Sequence, residues 1–214
     1  MKVLNLYAGI GGNRKLWQNV EVTAVEVDSD IAKIYQDFFP NDKVVVGDAH
    51  HFLPEHCNDY DFVWASPPCP THSQYRQNVG VIAKGFKPLY PDMRLYQEII
   101  FLQYNFKGKW VVENTVSYYD PLIKPQKVGA HYFWSNFYIS PKEFEKRGIR
   151  DATNADLEKT RFDLSAYTGI EKRTVLRNCV NSELGLHIFD CAFKKEVPQL
   201  LLFNMSEKHS KELP

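Results

Sequence analysis

Short apolar runs alternate with amphipathic stretches along the first half of the chain. Val3–Tyr7, Val22–Val25, Val44–Val46, Phe62–Ala65 and Trp110–Val112 are runs of strand length, predicted as buried strands. Between them, Asn13–Asn19 is predicted to start a helix, and Asp30–Phe39 to form one that Ser29 caps and Pro40 ends. Met93–Tyr104 carries Leu95, Ile99, Phe101 and Leu102 at helical spacing. This strand–helix rhythm predicts an α/β fold around a parallel sheet over residues 1–137. From Tyr138 onward the apolar runs give way to dense charges of both signs, so 138–174 reads as an insertion. A closing apolar pattern, Leu184–Phe193, predicts a helix by which the last segment, 175–214, returns to the core.

Composition narrows the class. With 214 residues and 44% hydrophobic content, one domain with a real core is expected. No apolar run reaches membrane-spanning length, and Val3–Tyr7 is too short for an export signal, so a cytoplasmic protein without a membrane partner is expected. Cys57, Cys69, Cys179 and Cys191 show neither CxxC pairing nor metal-ligand spacing, which predicts reduced thiols and no metal. Lys plus Arg and Asp plus Glu balance at 26 each, which counts against a strongly basic nucleic-acid binder. Locally the balance breaks: Arg76, Lys84, Lys87 and Arg94 face only Asp92, interleaved with Tyr75, Phe86 and Tyr90. That stretch is either a solvated loop or one that touches phosphates.

The candidate chemistry sits where strands are predicted to end. Tyr7-Ala8-Gly9-Ile10-Gly11-Gly12-Asn13 is a glycine turn after the first strand, where backbone approaches a ligand closely and a following helix would offer free N–H groups. Glu26 closes the second strand and Asp48 the third, as carboxylates for a nucleoside or as simple caps. The turn lacks GxGxxG spacing, so the pattern favours an adenosylmethionine-type pocket over a dinucleotide one. After the fourth strand, Ser66-Pro67-Pro68-Cys69-Pro70 forces a turn that presents a thiol. Glu113-Asn114 is predicted to end the fifth strand, in the same crevice as Cys69. A nucleophile beside an acid suggests covalent attack assisted by a proton donor, although a buried thiol and a capping acid are the plain alternatives.

In this order, the residues resemble the DNA cytosine-5 methyltransferases over most of the chain. Tyr7 to Gly12 resembles the family's first motif, which holds adenosylmethionine, and Glu26 and Asp48 match its ribose and adenine acids. Pro68-Cys69 with Ser73 resembles the PCQxxS nucleophile motif, and Arg94-Leu95 with Glu98 the opening of the next helix. Glu113-Asn114 resembles ENV, and Asn178 with Val180 before Leu184-Gly185 resembles the closing GN(S/A)V segment. Pro70 and Thr115 depart from the usual Gln and Val. The Gln126–Trp134 stretch resembles QxRxR and, in its Tyr132-Phe133-Trp134 ending, the RARYFW run of the animal de novo enzymes, with Gly129 and His131 where that run has arginines. A protonated His131 would restore one of those charges at the base.

The resemblance implies a class I adenosylmethionine-dependent methyltransferase (Rossmann-like) sheet with a small recognition insertion at 138–174. Its implied catalytic residues are Cys69, Glu113 and His131. S-Adenosyl-L-methionine would be held by Tyr7, Ala8, Gly9, Ile10, Gly11, Gly12, Glu26, Val27, Asp48, Ala49, Pro67, Asn178 and Val180. Ser73, Arg76, Lys84, Lys87 and Arg94 would contact double-stranded DNA around a flipped cytosine. An insertion this short implies a short target, relaxed specificity, or help from an accessory subunit or a second copy. Three alternatives remain at this point. An amino-methyltransferase is one, since Ser66-Pro67-Pro68-Cys69 approaches (D/N/S)PP(Y/F/W). A tRNA cytosine-5 methyltransferase and a catalytically silent binding or regulatory protein are the others.

Overall fold

A computed structural model of the chain describes residues 1–144 and 162–193. Seven strands form one sheet in the order β3-β2-β1-β4-β5-β7-β6. They are β1 (Lys2–Leu6), β2 (Glu21–Glu26), β3 (Lys43–Val46), β4 (Phe62–Ala65), β5 (Lys109–Thr115), β6 (Gln126–Val128) and β7 (His131–Ser135). The first five are parallel and β7 is antiparallel to both its neighbours. Parallel strands with one reversed strand, covered by helices on both faces, make an open Rossmann-like α/β sheet. The strand order reverses between β1 and β4, and a crevice opens where such a reversal occurs.

Helices α1 (Ser29–Phe38), α2 (Ala49–His56) and α3 (Arg94–Asn105) follow in chain order, then α4 (Lys172–Asn178) and α5 (Ser182–Phe193). One face of the sheet packs on α2 and α3 through Leu4, Leu6, Val63, Val112, Leu53, Leu95, Ile99 and Leu102. The opposite face packs on α5 through Val3, Trp64, Val111, Phe133, Leu184, Ile188 and Phe189. Both faces being covered explains why β4 reads as an unbroken apolar run. Among the described residues, no helix is long and apolar enough to cross a membrane.

Several elements differ from the sequence expectation. The helix expected at Asn13–Asn19 is replaced by successive tight turns, with Gly11 N donating to Ala8 O, Arg14 N to Gly11 O and Trp17 N to Arg14 O. Side chains outweigh helix propensity here. Asn13 is buried and pairs with Asn5, Arg14 grips Asp42 at 2.9 Å, and Trp17 Nε1 donates to Gly185 O. The free N–H groups of a helix start are therefore absent from this side of the glycine turn. Asp28, not Ser29, caps α1, its carboxylate accepting from Asp30 N and Ile31 N. β3 is an edge strand with Val46 57% exposed rather than a buried one. β5 runs on through Glu113 and Asn114 to Thr115, because β7 pairs with it along that stretch.

The predicted insertion, 138–174, lies partly outside the described residues. Its described end packs against α1: Phe162 and Leu164 join Ile10, Ile34 and Leu176 in one cluster, and Tyr167 donates to Asp37. Residues 194–214 of the predicted C-terminal segment also lie outside the described residues.

Candidate functional site

Three strand ends build one wall of the crevice. Beyond β1 the chain stays bound to β2 through Ala8 N and Val25 O, and Gly47 N donates to Glu26 O. The glycine turn, Glu26 and Asp48 are thereby adjacent. Glu26 holds the turn directly, Oε2 accepting from Gly9 N at 2.9 Å and Oε1 from Asp28 N at 3.0 Å. Each carboxylate oxygen keeps a further lone pair, so two neighbouring hydroxyls could still be bound. Asp48 caps α2 by accepting from His50 N at 2.8 Å, as the cap reading of this residue expects. Val27, beside Glu26, is exposed, and Ala49, beside Asp48, is buried.

The glycines divide by task. Gly9 has φ +53° and a side chain there would meet open space, leaving a backbone cradle toward the crevice. Gly12 is hemmed in, since a Cβ there would lie 2.6 Å from Val180 O. The closing segment predicted around Asn178 and Val180 thus meets the turn at Val180, while Asn178 itself is an exposed residue at the end of α4. Ile10 and Ala8 are buried beneath the turn. Space, paired acids and bare backbone fit a nucleoside with vicinal hydroxyls.

The second wall comes from β4 and β5. Asn114 is buried and donates Nδ2 to Pro67 O at 3.0 Å, which pins the double-proline turn that carries Cys69. The loop beyond Cys69 is fastened as well. Ser73 N and His72 N both donate to Cys69 O, Tyr118 N donates to His72 O, and Ser73 bridges to Ser117. His72 is buried with Nδ1 2.5 Å from the Tyr119 hydroxyl. Glu113 is buried, and His131 Nε2 lies 3.7 Å from its Oε1, across the β5–β7 pair. His131 therefore faces Glu113, and the Gly129 turn joins its strand to β6.

Charge in this wall runs toward neutral forms. Burial pushes the Cys69 thiol up, and the nearby Glu113 carboxylate adds to it. Burial also raises Glu113, partly offset by His131 and by a hydrogen bond from Ser66. Such an acid keeps its proton more readily and can present it to a bound acceptor. The thiol, by contrast, needs help to ionise.

Beyond Ser73, whose Oγ accepts from Arg76 N, Arg76–Ala83 forms a π-helical segment. Residues 82–90 are all exposed, including Lys84 and Lys87, and Tyr90 is 95% exposed. π-Helical segments are rare and favour functional sites. Arg94 lies apart from this loop, with Nη1 3.9 Å from Asp48 Oδ2 and Nε 3.5 Å from Asp92. Its charge faces the first wall as much as the second.

Asn114 as the anchor of the turn, Ser66 as a partner of Glu113, and the Glu98–Tyr7–His50 contacts were not legible from sequence. Glu98 alone left a trace: a carboxylate on the apolar Leu95–Ile99–Leu102 face of a helix.

Residues 1–99 match the family model of the C-5 cytosine-specific DNA methylases. No curated protein sequence matches the chain. Among solved structures, Spodoptera frugiperda DNMT2 is 24% identical over 53% of this chain and 35% of its own, with a TM-score of 0.39. A prophage-encoded protein of E. coli, assigned as a DNA modification methyltransferase, is 18% identical over 79% of this chain and 56% of its own, with a TM-score of 0.43. The Entamoeba histolytica methyltransferase EhMeth is 18% identical over 54% of this chain and 38% of its own, with a TM-score of 0.35.

Proposed function

We propose that this chain, whose first 99 residues match the C-5 cytosine-specific DNA methylase model, transfers a methyl group from S-adenosylmethionine to carbon 5 of cytosine in DNA. The observation that carries the proposal is the pairing of two walls at one sheet edge. Gly9, Glu26 and Asp48 form the first, and Cys69 with Glu113 the second, at the point where strand order reverses. Adenosylmethionine, bound along the first wall, supplies an electrophilic methyl group. Glu26 receives the ribose hydroxyls, Gly9 and its neighbours offer backbone, and Asp48 approaches the adenine edge.

Carbon 5 of cytosine is too weak a nucleophile to take that methyl unaided. The Cys69 thiolate adds to carbon 6 and pushes electron density to carbon 5, while protonated Glu113 donates to the ring nitrogen and holds the exocyclic amine. After methyl transfer, loss of the carbon-5 proton restores the double bond and expels Cys69. His131, with Nε2 3.7 Å from Glu113 Oε1, would help hold that carboxyl against the base. The target base must first leave the duplex, at a cost of a few kcal/mol that pocket contacts recover. The exposed Lys84 and Lys87, with the half-buried Arg76 behind them, would then meet phosphates. Phosphate contacts position the chain, and the predicted recognition segment reads bases.

The test is covalent trapping with duplex DNA containing 5-fluorocytosine, run beside a folded RNA carrying the same base. Fluorine cannot leave carbon 5 as a cation, so the adduct accumulates. A Cys69-dependent adduct on DNA supports the proposal, and one formed on RNA alone reassigns the substrate. An unmodified Cys69 with methyl transferred to the exocyclic nitrogen would overturn it.

A further inference from the structure

Glu98 is 1% exposed and projects from α3 into the interior. Its Oε1 accepts the Tyr7 hydroxyl and lies 2.9 Å from His50 Nδ1. Its other oxygen, Oε2, is buried and has no hydrogen-bond partner among the described residues. A buried carboxyl with a bare oxygen costs free energy, so something must offset it. The methyl-transfer chemistry described above makes no use of this group.

Its two partners suggest the compensation. Tyr7 follows β1 and opens the glycine turn, in a left-handed backbone conformation (φ 56°) that bulky residues rarely adopt. His50 stands in the first turn of α2, where its N–H is held by Asp48. Glu98 thus ties the turn that bears Gly9 to the turn that bears Asp48. Glu26 joins these two loops through their backbones, and Glu98 joins them through the Tyr7 and His50 side chains. Without the Glu98 tie, the Tyr7 ring would lose its polar anchor, and His50 its side-chain link to Tyr7.

We propose that Glu98 is a positioning residue for adenosylmethionine, holding the Tyr7 ring and the His50 turn in the geometry the cofactor requires. The proposal rests on the cofactor assigned above. Burial raises the Glu98 carboxyl, which favours the neutral acid with its proton on Oε2. A glutamine then reproduces the clamp: its carbonyl accepts from Tyr7 and His50, and its amide replaces Oε2–H.

The experiment measures S-adenosylmethionine affinity by calorimetry, and duplex DNA affinity without cofactor, for the full chain and its variants. Glu98→Leu should weaken the cofactor about tenfold, the worth of hydrogen bonds to a buried carboxyl, and leave duplex binding unchanged. Glu98→Gln should bind like the wild type. Tyr7→Phe should weaken the cofactor in the wild-type background and cost nothing further beside Glu98→Leu, because the two act through one contact. Unchanged cofactor affinity in Glu98→Leu, or equal losses for cofactor and duplex, overturns the positioning role. Should Glu98→Leu fail to fold, a Tyr7→Phe variant with wild-type cofactor affinity overturns it equally. A wild-type chain that binds no S-adenosylmethionine removes the cofactor assignment itself, an outcome distinct from a Glu98 variant that binds normally.

Discussion

The two walls of the crevice are built differently. Around Gly9, Glu26 and Asp48, the acids already hold backbone N–H groups, and the buried Asn5–Asn13 and Arg14–Asp42–Tyr35 pairs lock the ground beneath them. Around Cys69 and Glu113, the turn is pinned from below by Asn114, but both reacting groups are held toward their neutral forms. The loop that follows lies open to solvent from 82 to 90. The first wall is held by its own hydrogen bonds, whereas the second leaves its cations in solvent. Under the proposed function, phosphates would meet those cations, a base would meet Glu113, and thiol ionisation would follow target binding.

The sharpest break in that comparison is Cys69→Ser. Methyl transfer should fall by on the order of 10⁴-fold or more, with cofactor affinity intact, as read by tritium transfer and calorimetry. Glu113→Gln comes next, with a loss of about 10²-fold in kcat. It also tests the electrostatics. Because the Glu113 carboxylate raises the thiol, removing its charge should lower the pH at which Cys69 is alkylated by iodoacetamide. The wild-type alkylation rate should climb with pH through a midpoint above that of an ordinary cysteine.

On the first wall, Glu26→Ala removes the partner of both Gly9 N and Asp28 N, and cofactor affinity should drop roughly tenfold or more, with little change in kcat at saturation. A smaller effect belongs to Lys84→Ala with Lys87→Ala. Duplex binding should weaken uniformly across sequences, and its salt slope should fall by about 1 for each lost phosphate contact. The smallest effect is on stability. Glu98 and Glu113 bind protons more tightly folded than unfolded, so the folded state carries the extra protons. Their contribution to stability is therefore fully present below the usual carboxylate range and is lost as pH rises through their elevated values. Thermal melts across that window should show the decline, and Glu98→Gln should flatten it.

Sequence revealed where the candidate residues lie better than what supports them. β4 ends where the apolar run Phe62–Ala65 ends, because β1 and β5 flank it and both faces are covered. The glycine turn, Glu26, Asp48 and Cys69 were legible because each follows a strand directly, and a parallel sheet gathers such ends. What escaped was whatever depends on partners distant in sequence. Asn114 finds Pro67, Tyr7 finds Glu98, and Trp17 finds Gly185 only after the sheet has formed. The expected helix after the glycine turn failed for the same reason: Asn13 and Trp17 gain more from buried long-range partners than from helical hydrogen bonds.

The central claim is that Cys69 attacks carbon 6 of a cytosine in DNA. Its most direct test is denaturing electrophoresis of the chain after incubation with 5-fluorocytosine duplex and S-adenosylmethionine. The account predicts a shifted band that resists denaturation, requires the cofactor for full yield, and vanishes with Cys69→Ser. A wild-type chain that methylates DNA yet forms no such band, or a band that persists in Cys69→Ser, would contradict it.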